Sequence, residues 1–216
     1  MNKIDMYQYE RKYWNQGNEY ILGLDEAGRG PWAGPLVVAG CILPKGYKND
    51  EINDSKKLSS KKRERLFDEI VKSAIAYDIL FISAHDVDQF NPKQASINGM
   101  YEVFSSIKPT AQVVLIDAEK VPKIKVKTES IVKGDAKSIS IAAASILAKV
   151  ARDRYMVEIA NKYPEYHFDS NKGYGTIEHL KAIKKFGPIK DFHRFSYRPI
   201  KEIIKKCPNS VKLLTI

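Results

Sequence analysis

Cysteine is scarce in this sequence, with Cys41 and Cys207 the only two among 216 residues. Their separation excludes a CxxC metal or redox motif, and their number excludes a scaffold held together by disulfides. The four histidines show no HxxxH spacing, which argues against a structural zinc site. The low cysteine content fits a reducing compartment, and we expect a cytoplasmic protein.

Long apolar runs are also missing. The longest uncharged stretch, from Gly30 to Pro44, is interrupted by glycine and proline and is shorter than the ~20 residues of a membrane helix. The opening segment MNKIDMYQYERKYW is charged and aromatic, without the apolar core of a secretory signal. Internal repeats and low-complexity tracts do not occur, and the composition excludes a disordered chain. We therefore expect no membrane partner.

Acidic residues are outnumbered: 36 lysines and arginines stand against 26 acids, which gives a net charge of +10 and a pI near 9.4. Such an excess favours a polyanionic partner, with nucleic acid first and an anionic membrane second. A merely soluble basic protein is the alternative that charge alone leaves open.

The hydrophobic periodicity predicts a mixed-sheet α/β fold, because strands come first as neighbours and then alternate with helices. Strands are predicted at Tyr20–Asp25, Leu36–Leu43, Asp78–Ala84, Gln112–Asp117 and within Val126–Val132. Helices are predicted from Ser59 or Ser60 through the apolar stripe that ends at Ile75, and at Lys93–Ile107, Ala136–Lys162 and Thr176–Phe186.

Two of the predicted strands end in acidic residues. The first runs into Asp25 and Glu26, and the Val-Val-Leu-Ile run ends at Asp117. Ligands of α/β proteins gather at the carboxyl ends of strands, so these carboxylates converge if the two strands are neighbours. Like charges placed together raise one another's pKa or recruit a cation, and hard carboxylate oxygens suit Mg²⁺ or Mn²⁺. The alternative is that the acids are ordinary turn residues.

Asp135 immediately precedes the longest predicted helix. Its position alone favours a helix N-cap, since aspartate is a preferred capping residue. A residue at a helix start also contributes to a metal site if that start lies beside the other carboxylates.

Glycine-flanked and basic segments suggest contacts with a substrate. Gly28-Arg29-Gly30 allows main-chain groups to approach a sugar-phosphate, although a tight turn without a ligand is by itself the simpler explanation. Ser55 and Lys56 lie beside basic clusters that either hold phosphates or form a solvated helix face. Tyr174, between two glycines, either stacks on a sugar or base or anchors a packed loop.

Taken together, these segments resemble type 2 ribonuclease H (ribonuclease HII). The likeness is carried by LDEAGRGPWAGPLVVA from Leu24, NDSKKLS from Asn53, LIDAEK from Leu115, KGDAKSISIAAASILAKVARD from Lys133, NKGYGT from Asn171 and HRFSYRP from His193. The segments follow the family's order and span about 24 to 199, which makes the resemblance highly specific. Type 3 enzymes fit less well, since they carry a long N-terminal substrate-binding domain and lack the arginine between the two glycines.

The resemblance implies the ribonuclease H-like fold and a catalytic site of four carboxylates: Asp25, Glu26, Asp117 and Asp135. Asp135 is thereby implied to be more than a helix cap. The resemblance also implies two divalent ions, Mg²⁺ or Mn²⁺, bound by these four residues.

The same likeness implies how the substrate is held. Gly28-Arg29-Gly30 is implied to sense a ribose 2′-hydroxyl through main-chain groups, and Tyr174 to pack on the neighbouring sugar. We expect Ser55 and Lys56 to bind the substrate as well, with lysines holding phosphates.

The activity implied is endonucleolytic hydrolysis of the RNA strand of RNA/DNA hybrids, together with cleavage 5′ of single ribonucleotides in duplex DNA. The products expected are 5′-phosphate and 3′-hydroxyl ends. The expected partners are accordingly RNA/DNA hybrid and ribonucleotide-containing duplex DNA, bound by a monomer. Two rival functions are a non-catalytic nucleic-acid-binding protein and a metal-dependent DNA nuclease without sugar selectivity.

We expect residues 1–19 to form a lead segment and residues 20–199 to form the catalytic domain with its C-terminal helices. The tail 200–216 shows no likeness and stays unassigned.

Overall fold

A mixed sheet organises the part of the chain that the computed structural model describes, residues 5–206 and 211–212 apart from the side chain of Lys56. Its strands are β1 Ile21–Ala27, β2 Leu36–Ile42, β3 Ala76–Ile82, β4 Val113–Asp117 and β5 Lys127–Ile131. They lie side by side in the order β3-β2-β1-β4-β5. The predicted mixed-sheet α/β fold is therefore confirmed.

The pairing of the strands puts β1 at the centre of the sheet. It runs antiparallel to β2 and parallel to β4, and β4 runs parallel to β5. The residues Ile21–Asp25 and Val113–Ile116 are buried without alternation, as expected for strands covered on both faces. The register pairs Leu24 with Ile116, so β1 and β4 reach the same edge of the sheet together.

The helices of the described residues are α1 Gln8–Trp14, α2 Ser60–Ser73, α3 Ala84–Phe90, α4 Pro92–Ser106, α5 Ile139–Lys162, α6 Phe168–Asn171, α7 Ile177–Phe186 and α8 Arg198–Lys206. Short 3₁₀ turns occur at Ser55–Lys57, Gly134–Ala136 and Pro164–Tyr166. Within this part of the chain, no helix is both long and apolar enough to cross a membrane.

Several predicted boundaries differ from the structure by a few residues. Helix α5 begins at Ile139 rather than near Ala136, because a 3₁₀ turn occupies Gly134–Ala136. Helix α2 ends at Ser73, since Ala74 already has extended backbone angles, and β3 then begins at Ala76 instead of Asp78.

Helix α5 packs directly on β1 at Gly23. A Cβ atom at this glycine would lie 2.1 Å from the main-chain carbon of Ser140, a distance at which no side chain fits. The absence of a side chain at Gly23 therefore lets the first turn of α5 approach the strand that ends in Asp25.

The described residues form two compact units, each assembled from separate stretches of the chain. The first draws on Met1–Ala27, Val37–Leu80 and Ser96–Val150, and the second on Gly28–Leu36, Phe81–Ala95 and Ala151–Ile216. One apolar cluster of the first unit joins Tyr13, Trp14, Ile21, Val113, Leu115, Ile131 and Ile141. The core of the second unit is rich in aromatic rings, among them Tyr163, Tyr166, Phe168 and Phe192. The predicted division into 1–19, 20–199 and 200–216 stays a prediction.

Candidate active site

Asp25 and Asp117 are brought together by the register of β1 and β4. Leu24 pairs with Ile116 in the parallel ladder, and the aspartates are the next residue of each strand. Parallel strands end at the same edge of a sheet, which is where α/β proteins place their ligands. The condition on which the predicted convergence depended, that the two strands are neighbours, is met.

Asp25 lies in an environment that disfavours a negative charge. Its side chain is buried, and burial raises the pKa of Asp25 well above the ordinary value, helped by the negative charges of Glu26 and Asp117. Hydrogen bonds from the Ser145 hydroxyl and the Glu26 main-chain N–H oppose this rise in pKa. A bound cation would remove the repulsion that these three carboxylates exert on one another.

Glu26, at the end of β1, is half-buried and accepts a hydrogen bond from the Ser96 hydroxyl of α4 at 3.1 Å. Side chains alternate along a strand, so Glu26 and Asp25 leave β1 on opposite faces. The Ser96 bond therefore gives Glu26 a fixed partner that is distinct from the partners of Asp25.

Asp117 is tied to the turn that carries Asp135. Its Oδ1 accepts a hydrogen bond from the main-chain N–H of Gly134 at 2.7 Å. A Cβ atom on Gly134 would lie 2.6 Å from Ile141 Cδ1, so this position has no room for a side chain. The contact places the buried Asp135 one residue beyond a group bonded to Asp117.

The structure does not support the helix-cap interpretation of Asp135. Helix α5 begins four residues later, and Ser138 occupies the capping position: its hydroxyl accepts from Ile141 N–H at 3.3 Å and its carbonyl from Ala142 N–H at 2.9 Å. Asp135 instead lies within the 3₁₀ turn, after Lys133, whose φ of 55° is left-handed.

The donor atoms gathered at this edge fit a divalent metal. All are carboxylate oxygens, the ligands that Mg²⁺ and Mn²⁺ prefer, and thiol and imidazole ligands play no part. Within residues 5–206 and 211–212, no three acidic, histidine or cysteine side chains already surround a common point.

Ser55 is buried in its 3₁₀ turn, and its hydroxyl lies 3.0 Å from that of Ser145. Since Ser145 also bonds to Asp25, Ser55 supports the residue that orients this carboxylate. The Ser55 carbonyl accepts from Arg63 at 2.9 Å. The predicted partner of Ser55 in substrate binding, Lys56, has a side chain outside the described residues.

The Gly28-Arg29-Gly30 turn belongs to the second unit. Gly28 has a φ of 97°, a left-handed value that favours glycine. The Arg29 carbonyl accepts a hydrogen bond from Arg194 at 3.0 Å and another from the Tyr197 hydroxyl. Gly30 is exposed, and the nearest atom to a Cβ built there is Tyr174 Cε1 at 3.9 Å. The structure thus brings together Gly30 and Tyr174, which are both predicted to contact the substrate.

Two buried arginines hold this region, and sequence reasoning gave neither a role. Arg152 donates to the carbonyls of Pro35, Lys172 and Ala33 at 2.9, 2.9 and 3.1 Å. Burial, with the charge of Arg194 next, lowers the pKa of Arg152 to about 10.

The partners of Arg194 follow the same pattern. It donates twice to the Gly34 carbonyl, at 3.2 and 2.9 Å, besides its bond to Arg29. In the sequence, one feature could have drawn attention to Arg152: it is a cationic residue on a largely apolar face of α5.

Tyr174 is held through its main chain while its ring stays 46% exposed. Its carbonyl lies 2.9 Å from His179 Nδ1, and His179 Nε2 lies 3.1 Å from His193 Nε2. The Ile189 N–H donates to His193 Nδ1 at 2.9 Å, which puts the His193 proton on Nε2 and the His179 proton on Nδ1. Both imidazoles are therefore neutral, and burial lowers the pKa of each.

Comparison with solved structures defines the class of protein. The fold is similar to that of ribonuclease H2 from Pyrococcus horikoshii OT3, with a TM-score of 0.76 and 23% identity over 88% of this chain and 99% of that one. The architecture is thus the ribonuclease H-like fold, whose central sheet here carries carboxylates at one edge.

The family follows from the sequence comparisons. A family model described as Ribonuclease HII matches residues 22–200. Ribonuclease HII from Geobacillus sp. (strain WCH70) is 49% identical over 201 residues, which are 93% of this chain and 72% of that one. The enzyme from Caldanaerobacter subterraneus subsp. tengcongensis is 48% identical over 201 residues, 93% of this chain and 82% of its own. The chain belongs to the ribonuclease HII family: it is a nuclease of the metal-dependent ribonuclease H class that hydrolyses the RNA of RNA/DNA hybrids.

Proposed function

We propose that this enzyme also cuts duplex DNA on the 5′ side of a single embedded ribonucleotide, by two-metal-ion catalysis, leaving 5′-phosphate and 3′-hydroxyl ends. The observation that carries the proposal is the shared sheet edge of Asp25 and Asp117, where burial and neighbouring charge raise the pKa of Asp25. The carboxylate oxygens at this edge are hard ligands that suit divalent cations, and two-metal-ion hydrolysis of a phosphodiester uses such cations at the scissile phosphate.

Each carboxylate has a proposed role in the reaction. Asp25 and Asp117 are the primary ligands, Glu26 is a ligand to one ion, and Asp135 is a ligand or the group that orients the attacking water. Two Mg²⁺ or Mn²⁺ ions, when bound, activate that water and stabilise the leaving oxygen. The water oxygen bonds to phosphorus and releases a proton to solvent, the bond from phosphorus to the 3′-oxygen breaks, and the 3′-oxygen takes up a proton from solvent and leaves as a hydroxyl.

Selection of the sugar is assigned to the Gly28-Arg29-Gly30 turn. The 2′-hydroxyl takes no part in bond breaking, so a separate group must detect it. Only Ala27 separates Glu26 from this turn in the chain, and Arg194 fixes the turn's Arg29 carbonyl. A site that hydrogen-bonds a hydroxyl rejects the analogue without it by about 10⁴-fold. Tyr174 is proposed to pack on the neighbouring sugar.

Phosphate binding is assigned to the basic surface. The net charge of +10 supports this, and Ser55 and Lys56 remain our proposed contacts. Because phosphate contacts release counterions, substrate affinity should fall steeply with salt. A monomer carrying out the reaction alone also stays a prediction.

One incubation tests the proposal against its rivals. The chain is mixed with Mg²⁺ or Mn²⁺ and a DNA duplex that bears one ribonucleotide, beside an all-DNA duplex and an Asp25→Asn variant. We expect a single cut 5′ of the ribonucleotide, with a 5′-phosphate, by the unmodified enzyme only. Cleavage of both duplexes would indicate a nuclease without sugar selectivity, and binding without cleavage would indicate a non-catalytic protein on this substrate.

A further inference from the structure

Glu10, in the segment ahead of β1, is a fully buried acid outside the span matched by the family model. It lies on α1, and its Oε1 accepts hydrogen bonds from the Ser138 hydroxyl at 2.6 Å and the Ser140 main-chain N–H at 3.0 Å. These two donors, 128 and 130 residues away in the chain, are at the beginning of α5.

The segment ahead of β1 satisfies the main-chain donors that open α5. The first N–H groups of a helix have no partner within it and must be capped from outside. Ile139 N–H donates to the Met6 carbonyl at 2.8 Å, and Ser140 N–H donates to Glu10. A carboxylate at this end also complements the helix dipole. Glu10 and Met6 therefore provide part of the cap of α5.

The capped end of α5 is continuous with the turn that carries Asp135. Ser138 N–H donates to the Gly134 carbonyl at 2.9 Å, and Gly134 N–H donates to Asp117. The segment from Gly134 to Ser138 is thus held at one end by Asp117 and at the other by Glu10.

The second oxygen of Glu10 shows that the residue is more than a packing element. Oε2 is buried and accepts no hydrogen bond from the described residues. A buried polar atom without a partner destabilises the folded chain, so an apolar side chain would fill this space at a lower cost. What the carboxylate provides is a fixed acceptor for Ser138 and Ser140.

We propose that Glu10 is a positioning residue for Asp135: by capping α5 through Ser138 and Ser140, it fixes the turn that presents this carboxylate to the metal site. The inference rests on the proposed function, in which Asp135 is a ligand or orients the attacking water. On this proposal, α1 contributes to the geometry of the metal site as well as to the stability of the fold.

The test compares three variants of the full chain. Glu10→Ala removes the acceptor, and Glu10→Gln keeps a carbonyl oxygen in its place. The matched control is Glu129→Ala, because Glu129 anchors the same helix to β5 through Lys12, at 2.8 Å, and Tyr13, and makes no hydrogen bond to α5 within the described residues. For each protein we would measure Mn²⁺ affinity by electron paramagnetic resonance, hydrogen exchange of the amides 139–141, thermal unfolding, and cleavage against Mn²⁺ concentration.

We expect Glu10→Ala to weaken Mn²⁺ binding by roughly 10-fold, the size usual for a group that orients a metal ligand, and to speed exchange at 139–141. Glu10→Gln should bind Mn²⁺ within about twofold of the unmodified chain, since the acceptor is retained. Glu129→Ala should lower the melting temperature and leave Mn²⁺ affinity unchanged. If Glu10→Ala does not fold, Glu10→Asp takes its place: its shorter side chain withdraws the acceptor from Ser138 and Ser140 and should weaken Mn²⁺ binding in the same direction.

The proposal is overturned if Glu10→Ala, or Glu10→Asp in its stead, loses stability like Glu129→Ala but binds and uses Mn²⁺ like the unmodified chain. Glu10 would then only anchor a helix. Failure of the proposed function is a separate result, because it would appear as absent cleavage 5′ of the ribonucleotide by the unmodified chain itself.

Discussion

The carboxylate edge of the first unit and the glycine turn of the second both contain buried ionisable groups, acidic at the edge and basic at the turn. The two regions differ in the groups that surround these side chains. At the edge, burial and the neighbouring acids raise the pKa of Asp25, so the charge is left uncompensated. At the turn, the buried Arg152 and Arg194 direct their donors at main-chain carbonyls. We therefore expect a bound cation to offset the negative charge at the edge, whereas the charges at the turn already have main-chain partners.

Because of this difference, we expect substitutions in the two regions to have different effects. Changes at the carboxylate edge should abolish chemistry and leave folding intact, because the acids repel one another in the folded state. Changes at the turn should disturb either stability or selectivity, according to whether they touch the supporting arginines or the surface that faces the substrate.

The largest effect is expected from Asp25→Asn or Asp117→Asn. Groups that only orient a metal ligand cost about 10–100-fold, so loss of a ligand should reduce cleavage by more than about 100-fold. In metal-free buffer, Asp25→Asn should raise the melting temperature, since a buried charge and its repulsion are removed. Cleavage assays and calorimetric unfolding check both statements, and unimpaired turnover in either variant would remove that residue from the metal site.

The second largest effect is expected from Gly30→Ala, which adds a methyl group to the Gly28-Arg29-Gly30 turn. Gly30→Ala meets no atom closer than 3.9 Å, so unfolding should be unchanged, but the added methyl group would occupy the surface that is proposed to contact the ribose. We expect ribonucleotide cleavage to fall by about 100-fold, as for a substrate displaced by 1 Å.

The matched control for that change is Gly28→Ala. Here the Cβ would lie 2.3 Å from Arg152 Nε at a φ of 97°, so stability should fall by more than about 1 kcal/mol. Normal cleavage by Gly30→Ala would show that the turn does not read the sugar.

Tyr174→Ala should act on one class of substrate. Stacking contributes about 1–3 kcal/mol per contact, which corresponds to about a 10-fold slower cut at the RNA-to-DNA junction. Uniform hybrids should be affected less, and Tyr174→Phe, which keeps the ring, should match the unmodified enzyme at the junction. Initial rates on the two substrates check this, and an equal loss on both would argue against junction reading.

The smallest effect concerns acid stability of the second unit. His179 and His193 have pKa values lowered in the folded chain, so the unfolded chain binds more protons as the pH falls below about 6.5. Stability should be full above that pH and fall progressively as the pH drops below it. Urea unfolding at several pH values measures this slope, which His193→Gln should flatten; an unchanged slope would contradict the neutral pair.

Much of the fold could be read from the sequence because it depends on local patterns. The Val-Val-Leu-Ile run before Asp117 predicts a doubly covered strand, and the apolar stripe of α5 predicts the longest helix. Helix α1 was missed, since seven residues are too short to be stable alone and depend on contacts such as Glu10 with Ser138.

The candidate site divides in the same way. The positions of Asp25 and Asp117 at strand ends predict that they lie close together if their strands are adjacent, and β1 and β4 are adjacent. A role for Asp135 in the site follows only from the family resemblance. The roles of Arg152 and Arg194 could not be predicted, because their burial depends on carbonyls such as that of Lys172, which distant loops provide. Local pattern gives the residues that line a strand end, and tertiary contacts decide which residues support them.

The central claim is that the carboxylates at the ends of β1 and β4 hold the catalytic cations, and anomalous diffraction from a Mn²⁺-soaked crystal tests it most directly. We predict a Mn²⁺ peak about 2.1 Å from carboxylate oxygens of both Asp25 and Asp117. A crystal whose Mn²⁺ peaks all lie away from these two aspartates would contradict the account.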